Sequence, residues 1–136
     1  MSLTAVARAV PGTLRQDIEI DGLHHLITDE PERLGGHGSA PSPHELLPAA
    51  LGACISTHLV MYARTKGWEL GEVSVDVDYD HRSNPRRFTV NVRLGAELSG
   101  DQLDRLYKVA VTCPVRKALQ GGAEFTERIE ARPVAA

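Results

Sequence analysis

One long apolar helix is the sequence feature that most limits how this chain folds. An S-x-x-E capping box at Ser42–Glu45, with proline at the first helical position, predicts a helix that reaches about Lys66 and ends at Gly67. The segment reads SPHELLPAALGACISTHLVMYARTKG. Small residues at positions 49–53 allow another backbone to come close. We therefore expect this helix to be buried in a crowded core.

Pro48 interrupts the predicted helix near its start. At the sixth helical position a proline removes one hydrogen bond and clashes with the preceding turn, which predicts a kink between Glu45 and Cys54. In a straight helix Glu45 would lie about 13 Å from Cys54 and on the opposite face. Glu45 would then be only a cap.

Two hairpins flank this helix in the sequence. From Leu14 to Thr28 apolar and polar residues alternate around the turn pair Asp21-Gly22, which is a strong hairpin signal. The segments GEVSVDVDYDH and RFTVNVRL alternate in the same way and are joined by the turn RSNP. Aspartates on one of these strands would face arginines on the other across an exposed surface.

Two further helices and one strand complete the prediction. A capping box at Ser99–Gln102 opens the helix LDRLYKVAV, and Cys113-Pro114 opens the short helix VRKALQ, which Gly121-Gly122 closes. The last strand is EFTERIEAR. The order strands, helix, hairpin, two helices and strand predicts an α+β fold, and 136 residues suffice for one domain, residues 1–136.

The loop DEPERLGGHGSAPSP joins the first hairpin to the long helix. Its glycines and prolines continue neither the helical nor the strand period. A loop of this length inside a small domain is often functional.

Composition excludes several classes of function. The net charge of -3 and the pI near 6.0 provide no basic surface for a phosphate backbone, so we expect no nucleic-acid partner. The first residues lack the apolar core of a signal peptide, and no segment approaches the roughly 18 apolar residues of a membrane span. We expect a cytoplasmic protein, with no membrane partner, that binds small molecules or a second copy of itself.

The chain has two cysteines, too few for a disulfide scaffold. No close C-x-x-C spacing suggests zinc, and among the histidines only His58 lies at a ligand-like spacing from a cysteine, Cys54. One such pair cannot close a tetrahedral site. We therefore expect no metal and no cofactor.

Cys113 occupies the N-cap position of a helix, directly before a proline. The free N–H groups and the positive end of the helix dipole would then face its sulfur, which favours the thiolate. The alternative is a small apolar residue between two helices.

Cys54 lies well inside its helix, where the dipole has little effect, so its neighbours would have to activate it. His58, one turn later, could hydrogen-bond the thiol or act as a base. Taken alone, the pattern favours a core cysteine, because free cysteine is among the most buried residue types. The residues that share its face through three- and four-residue spacings resemble a core stripe: Leu47, Ala50, Leu51, His58 and Met61.

The segments GGHGSAPSPHELLPAALGAC and TCPVRKAL resemble the OsmC/Ohr family, which comprises osmotically inducible protein C and the organic hydroperoxide resistance proteins. The resemblance covers nearly the whole chain, and PHELL is similar to the P-x-E-L-L pattern of the OsmC-like branch. It implies an intertwined homodimer of α+β subunits. The long cysteine helices would lie at its centre and the sites at the subunit interface.

The same resemblance implies a reaction. Characterised members of the family reduce organic hydroperoxides, and by motif Cys54 would be the peroxidatic cysteine and Cys113 the resolving one. Cys54 would become a sulfenic acid and then form a disulfide with Cys113. An external dithiol reductant would reopen that disulfide.

Two positions depart from the family pattern. The family glutamate directly follows the proline of N-P-E, whereas His44 stands there in this chain and Glu45 comes one position later. The family arginine lies in a G-G-R-D-G pattern that this sequence lacks. Arg15 lies nearest to the expected place and Arg33 is the weaker candidate. Glu45 and Arg15 would form the ion pair that orients the thiolate.

Two other functions are compatible with the same residues. The displaced glutamate is compatible with a non-catalytic stress-related or small-ligand-binding dimer that keeps the fold. A thiol redox sensor would form the disulfide between Cys54 and Cys113 without steady-state turnover.

Overall fold

The computed structural model describes residues 2–132 and has the predicted α+β architecture. A three-stranded antiparallel sheet and a two-stranded sheet are joined through one long helix, and two further helices follow the second sheet. Short 3-10 turns at Glu32–Leu34 and Pro43–Glu45 lie in the connection between β3 and α1. The elements are β1 (Ala5–Ala9), β2 (Gln16–Ile20), β3 (His24–Thr28), α1 (Leu46–Lys66), β4 (Val73–Asp80), β5 (Arg87–Leu94), α2 (Gly100–Ala110) and α3 (Pro114–Gly121).

The first predicted hairpin is confirmed. Asp21 and Gly22 have φ values of 52° and 69°, and such left-handed pairs match the twist of two antiparallel strands. The turn closes with a 3.0 Å hydrogen bond from Leu23 N to Ile20 O. β1 was not predicted, because its sequence AVARA shows little alternation of side chains; pairing with β2 holds it in place.

The second predicted hairpin is also confirmed. Tyr79 lies directly opposite Phe88, and their rings stack with centroids 4.2 Å apart. On the exposed face Arg93 Nη2 lies 2.8 Å from Asp76 Oδ2, so an aspartate does face an arginine across the strands. The packed inner face of this hairpin lies on α1.

The core of the chain forms around one stripe of α1. Leu51, Ile55, Leu59 and Ala63 follow each other at four-residue spacing and are 1–3% exposed. This stripe contacts β4, α2 and α3. Close approach of β4 requires Gly52, because a Cβ atom there would lie 3.3 Å from Val77 Cγ2.

The predicted core stripe through Cys54 differs from the observed one. Leu47 and Met61, which we expected in the core, are 37% and 55% exposed, and Ala50 is exposed as well. The most buried residues of α1 lie on the face of Ile55, one residue after Cys54. Within one chain, nothing that the structure describes packs over the face of Met61 well enough to bury it.

Apolar residues occur on all sides of this helix. The expectation that no segment approaches the length and apolarity of a membrane span is wrong, because Pro43–Lys66 is long and apolar enough to cross a membrane. The core helix of a soluble protein passes the same test. Only 22% of its most apolar window is buried within the chain.

The kink predicted at Pro48 rests on a wrong helix start. The segment Pro43–Glu45 is a 3-10 turn, and the α-helix begins only at Leu46. Pro48 therefore falls in the first helical turn, where backbone N–H groups have no acceptor within the helix. Its missing N–H breaks no helical hydrogen bond there.

The predicted final strand EFTERIEAR does not form within the chain. Residues 123–132 belong to no helix or strand, and all of them are exposed. Phe125 and Ile129 are 81% and 96% exposed. A strand needs a neighbouring backbone to complete its hydrogen bonds, and the two described sheets of this chain do not provide one.

The first sheet also has uncovered apolar side chains. Leu23, Leu26 and Ile27 are exposed on β3 or beside it. Among the described elements, no helix packs extensively against this sheet. The single chain thus buries one stripe of α1 and leaves other apolar surfaces open.

We predict that Leu59→Ala destabilises the chain by about 2–5 kcal/mol, because it removes a fully buried side chain at the centre of the core. Urea unfolding followed by circular dichroism measures this loss. Arg64→Ala, an exposed position on the same helix, is the control and should change stability by less than about 0.5 kcal/mol. Equal effects of the two variants would contradict the assigned core.

Candidate functional site

The fold brings the two cysteines together from separate helices. Cys54 lies in α1 and is half-buried, whereas Cys113 lies just before α3 and is 0% exposed. Both are free thiols. Cys54 packs against the core cluster that contains Cys113, and its side chain is close enough to perturb the ionisation of Cys113.

Burial raises the pKa of the Cys113 thiol above its ordinary value of 9.0, and the neighbouring Cys54 side chain adds to the increase. The backbone N–H groups of Arg116 and Val115 act in the opposite direction. Arg116 N lies 3.3 Å from Cys113 Sγ, which confirms the predicted N-cap. The cap therefore favours the thiolate as expected, but desolvation outweighs it, so the pKa of Cys113 is raised overall.

His58 lies one turn after Cys54 and faces it. His58 Nδ1 is 2.9 Å from the Cys54 carbonyl oxygen and 3.8 Å from Cys54 Sγ. A carbonyl oxygen only accepts, so the shorter contact requires a proton on Nδ1. That nitrogen can then donate weakly to the sulfur, but it cannot remove the thiol proton.

Glu45 is confirmed as the capping-box residue of the turn that leads into α1. Ser42 donates to Glu45 Oε1 from both its backbone nitrogen and its hydroxyl, each at 3.0 Å. These bonds, with a smaller contribution from the Arg33 charge, lower the pKa of Glu45 below its ordinary value of 4.5. The side chain is exposed.

Arg15 and Glu45 form no ion pair within the part of the chain that the structure describes. Arg15 is half-buried directly before β2, and its buried Nε atom has no hydrogen-bond partner among residues 2–132. The cation that acts on Glu45 is Arg33. The catalytic roles predicted for Arg15 and Glu45 stay predictions.

A groove with a volume of about 870 Å³ lies beside Glu45. His44 meets the ring of His81 at a centroid distance of 4.8 Å and that of Tyr79 at 5.6 Å. Sequence analysis missed His81 and Tyr79, since only the packing of β4 on the helix entry brings them to His44. The residues that line the groove include Glu30, Arg33, Ser42, His44, Glu45, Pro48, Tyr79, His81 and Arg82.

Neither cysteine lines this groove. Within residues 2–132, no group of three or more histidine, cysteine, aspartate or glutamate side chains is arranged to hold a metal ion. The chemistry that the described side chains offer is therefore that of two adjacent thiols, with a separate polar groove at the start of α1.

The amino-acid sequence of this chain matches a known protein family. The family model described as OsmC-like protein matches residues 36–128, which include both cysteines and the start of α1. The chain belongs to the OsmC-like protein family. No curated protein sequence matches it.

Solved structures have the same fold. An osmotic stress induced and detoxification response protein from Psychrobacter arcticus is 28% identical, with a TM-score of 0.72 over 87% of this chain and 88% of that one. An organic hydroperoxide resistance protein OsmC from Legionella pneumophila is 26% identical, with a TM-score of 0.60 over 89% and 90%. An OsmC-like protein from Mycoplasma pneumoniae shares the fold at 17% identity, with a TM-score of 0.73 over 89% of each chain.

We predict that Cys113 reacts with iodoacetamide only slowly in the folded Cys54→Ser variant, with a pH midpoint above the ordinary 9.0. Burial keeps the thiol protonated even when the neighbouring thiol is replaced. Mass spectrometry of samples alkylated across pH measures the midpoint, and the same variant in denaturant is the control. A midpoint at or below 9.0 would contradict the assigned effect of burial.

Proposed function

We propose that this protein is a thiol-dependent reductase of organic hydroperoxides, in which Cys54 attacks the peroxide and Cys113 resolves the product. The observation that carries the proposal is the unequal burial of two neighbouring free thiols, one half-buried and the other 0% exposed. A peroxide can reach the first more readily than the second. The organic hydroperoxide resistance protein from Legionella pneumophila, 26% identical, supports this chemistry and a role in stress defence.

In the first step the Cys54 thiolate attacks the terminal oxygen of the hydroperoxide. A sulfur–oxygen bond forms, the oxygen–oxygen bond breaks, and the alkoxide leaves as an alcohol once it takes up a proton. Cys54 is oxidised to the sulfenic acid. The Nδ1 atom of His58 lies 3.8 Å from the sulfur, and its proton would stabilise the thiolate rather than create it.

In the second step Cys113 attacks the sulfenic sulfur. A disulfide forms, and the thiol proton leaves with the hydroxyl group as water. The raised pKa of Cys113 keeps this proton in place until Cys54 has reacted. A dithiol reductant then reopens the disulfide by two thiol exchanges, which fits a protein of the reducing cytoplasm.

We further propose that the working unit is a homodimer with α1 at its centre. One chain leaves Met61, Phe125 and Ile129 exposed, although the first lies on an apolar helix and the other two alternate as in a strand. Soluble monomers rarely leave large apolar surfaces open. A second copy of the chain would cover these side chains.

A second candidate function is binding of a small ligand without peroxide turnover. It is favoured by the groove of about 870 Å³, which is lined by His44, Tyr79 and His81 but by no cysteine. Titration of peroxide against the reduced protein separates the two functions.

We predict that Cys54→Ser abolishes consumption of cumene hydroperoxide, whereas Cys113→Ser consumes about one equivalent and then stalls or overoxidises. The reason is that only Cys54 attacks and only Cys113 completes the disulfide. A ferrous-xylenol assay measures peroxide, and peptide mapping by mass spectrometry identifies the oxidised cysteine.

The wild-type protein with and without a dithiol is the control for turnover. Equal rates in the wild type and Cys54→Ser would eliminate the peroxidase proposal. Two unreacted thiols after treatment with peroxide would instead favour the ligand-binding function.

We predict that the wild type sediments as a dimer and that Met61→Glu shifts it towards monomer, because a carboxylate without a partner is costly in an apolar interface. Analytical ultracentrifugation measures the mass. Lys108→Glu, at an exposed position on α2, adds negative charge elsewhere and should leave the dimer intact. A monomeric wild type would overturn this assembly.

A further inference from the structure

A buried carboxylate organises the connection between β3 and α1. Asp29 directly follows β3 and is 0% exposed. No cation forms an ion pair with it among the residues that the structure describes. A buried charge without a counterion requires hydrogen bonds to replace its lost hydration.

Four donors supply those hydrogen bonds. Asp29 Oδ1 accepts from the backbone nitrogen of Glu30 at 2.8 Å. Asp29 Oδ2 accepts from the backbone nitrogens of His37 and Ser39, at 3.2 and 3.0 Å, and from the Ser39 hydroxyl at 2.7 Å. The bonds from Ser39 contribute most, and together the four donors hold the pKa of Asp29 well below its ordinary value of 3.8.

Backbone contacts tighten the same loop. Asp29 N donates to Pro41 O at 3.0 Å, and Gly38 N donates to Glu30 O at the same distance. Gly36 lies against this bend, because a Cβ atom there would come 1.9 Å from Glu30 O. Both ends of the loop are therefore tied to Asp29 or its immediate neighbour.

The loop carries two groups that act on Glu45. Ser42, next to the tied Pro41, holds the Glu45 carboxylate with two hydrogen bonds. Arg33, inside the loop, contributes the charge that further lowers the pKa of Glu45. Arg33, Ser42 and Glu45 all line the groove at the start of α1.

We infer that Asp29 is a positioning residue: its ionised, buried carboxylate fixes the loop so that Ser42 holds the Glu45 carboxylate at the edge of the groove that Arg33 also lines. Asp29 acts through the loop and does not touch Glu45. For its kinetic readout this inference rests on the proposed peroxidase function and on the predicted role of Glu45 in orienting the Cys54 thiolate. The change in the Glu45 pKa, followed by NMR, does not depend on that function.

The test is Asp29→Asn, which keeps the size of the side chain but directs an amide NH₂ at backbone N–H donors. We expect the Glu45 pKa, followed by carboxyl ¹³C NMR, to rise towards its ordinary 4.5. We also expect kcat/KM for cumene hydroperoxide to fall by about tenfold to a hundredfold, the loss that a displacement of about 1 Å can cause.

Asp21→Asn is the matched control. Asp21 also accepts from a backbone N–H and a hydroxyl, both of Thr4, but it lies in the turn between β2 and β3. This variant should leave the Glu45 pKa unchanged. Ser39→Ala removes one donor and keeps the carboxylate, so we expect an intermediate rise in the Glu45 pKa. This variant replaces Asp29→Asn in the test if Asp29→Asn does not fold.

The outcomes are distinguishable. The inference is overturned if folded Asp29→Asn has the same Glu45 pKa as the wild type. If Asp29→Asn is unfolded, the same result in Ser39→Ala overturns it. A wild type without peroxidase activity would overturn the proposed function, yet the NMR titration would still test Asp29.

Acid unfolding provides a check on the charge of Asp29. Because the pKa of Asp29 is lower in the folded state than in the unfolded state, its ionised form stabilises the fold above pH about 4, and this stability is lost as pH falls. The wild type should lose stability more steeply than Asp29→Asn below pH about 5. Parallel curves would contradict an ionised Asp29.

Discussion

Burial of the apolar surface of α1 is the constraint on which the rest of the structure depends. The stripe through Ile55 is covered by β4, α2 and α3, and that packing sets the positions of all three elements. No described element of the same chain covers the remaining apolar surface of α1. The first sheet presents apolar side chains, and segment 123–132 presents backbone groups that pair with neither described sheet. Both need another surface to cover them or pair with them.

The candidate site is a consequence of the same packing. α3 lies against α1, so Cys113 at its start is desolvated beside Cys54. Desolvation and helix-end hydrogen bonds act on Cys113 in opposite directions, and desolvation is the larger effect. The pair is therefore asymmetric. One thiol is accessible from a helix surface, while the other is a protonated thiol held in the core.

The groove at the start of α1 shows how a loop without regular structure becomes rigid. A buried carboxylate with four donors replaces the hydrogen bonds that a sheet or helix would provide. The loop then presents Arg33 and Ser42 to Glu45. His44 meets the rings of His81 and Tyr79 at the edge of this groove.

Local signals in the sequence predicted most elements. The capping boxes at Ser42 and Ser99 and the turn at Asp21 were assigned correctly, because each acts within four residues. The start of α1 was placed too early, since a 3-10 turn and an α-helix share the same cap. The role of Asp29 carried no sequence signal, because its donors lie up to ten residues away in an irregular loop.

The sequence by itself determined the order of elements from β2 to α3, and it placed Cys54 on α1 and Cys113 at the cap of α3, since caps, turns and side-chain alternation depend on near neighbours. Only the tertiary structure decided that Cys113 is the buried thiol beside Cys54 and that the buried stripe of α1 runs through Ile55. It also decided that Arg33 rather than Arg15 acts on Glu45 within one chain. Burial and charge–charge interactions depend on what packs nearby from distant parts of the chain, and residue spacing alone does not contain that information.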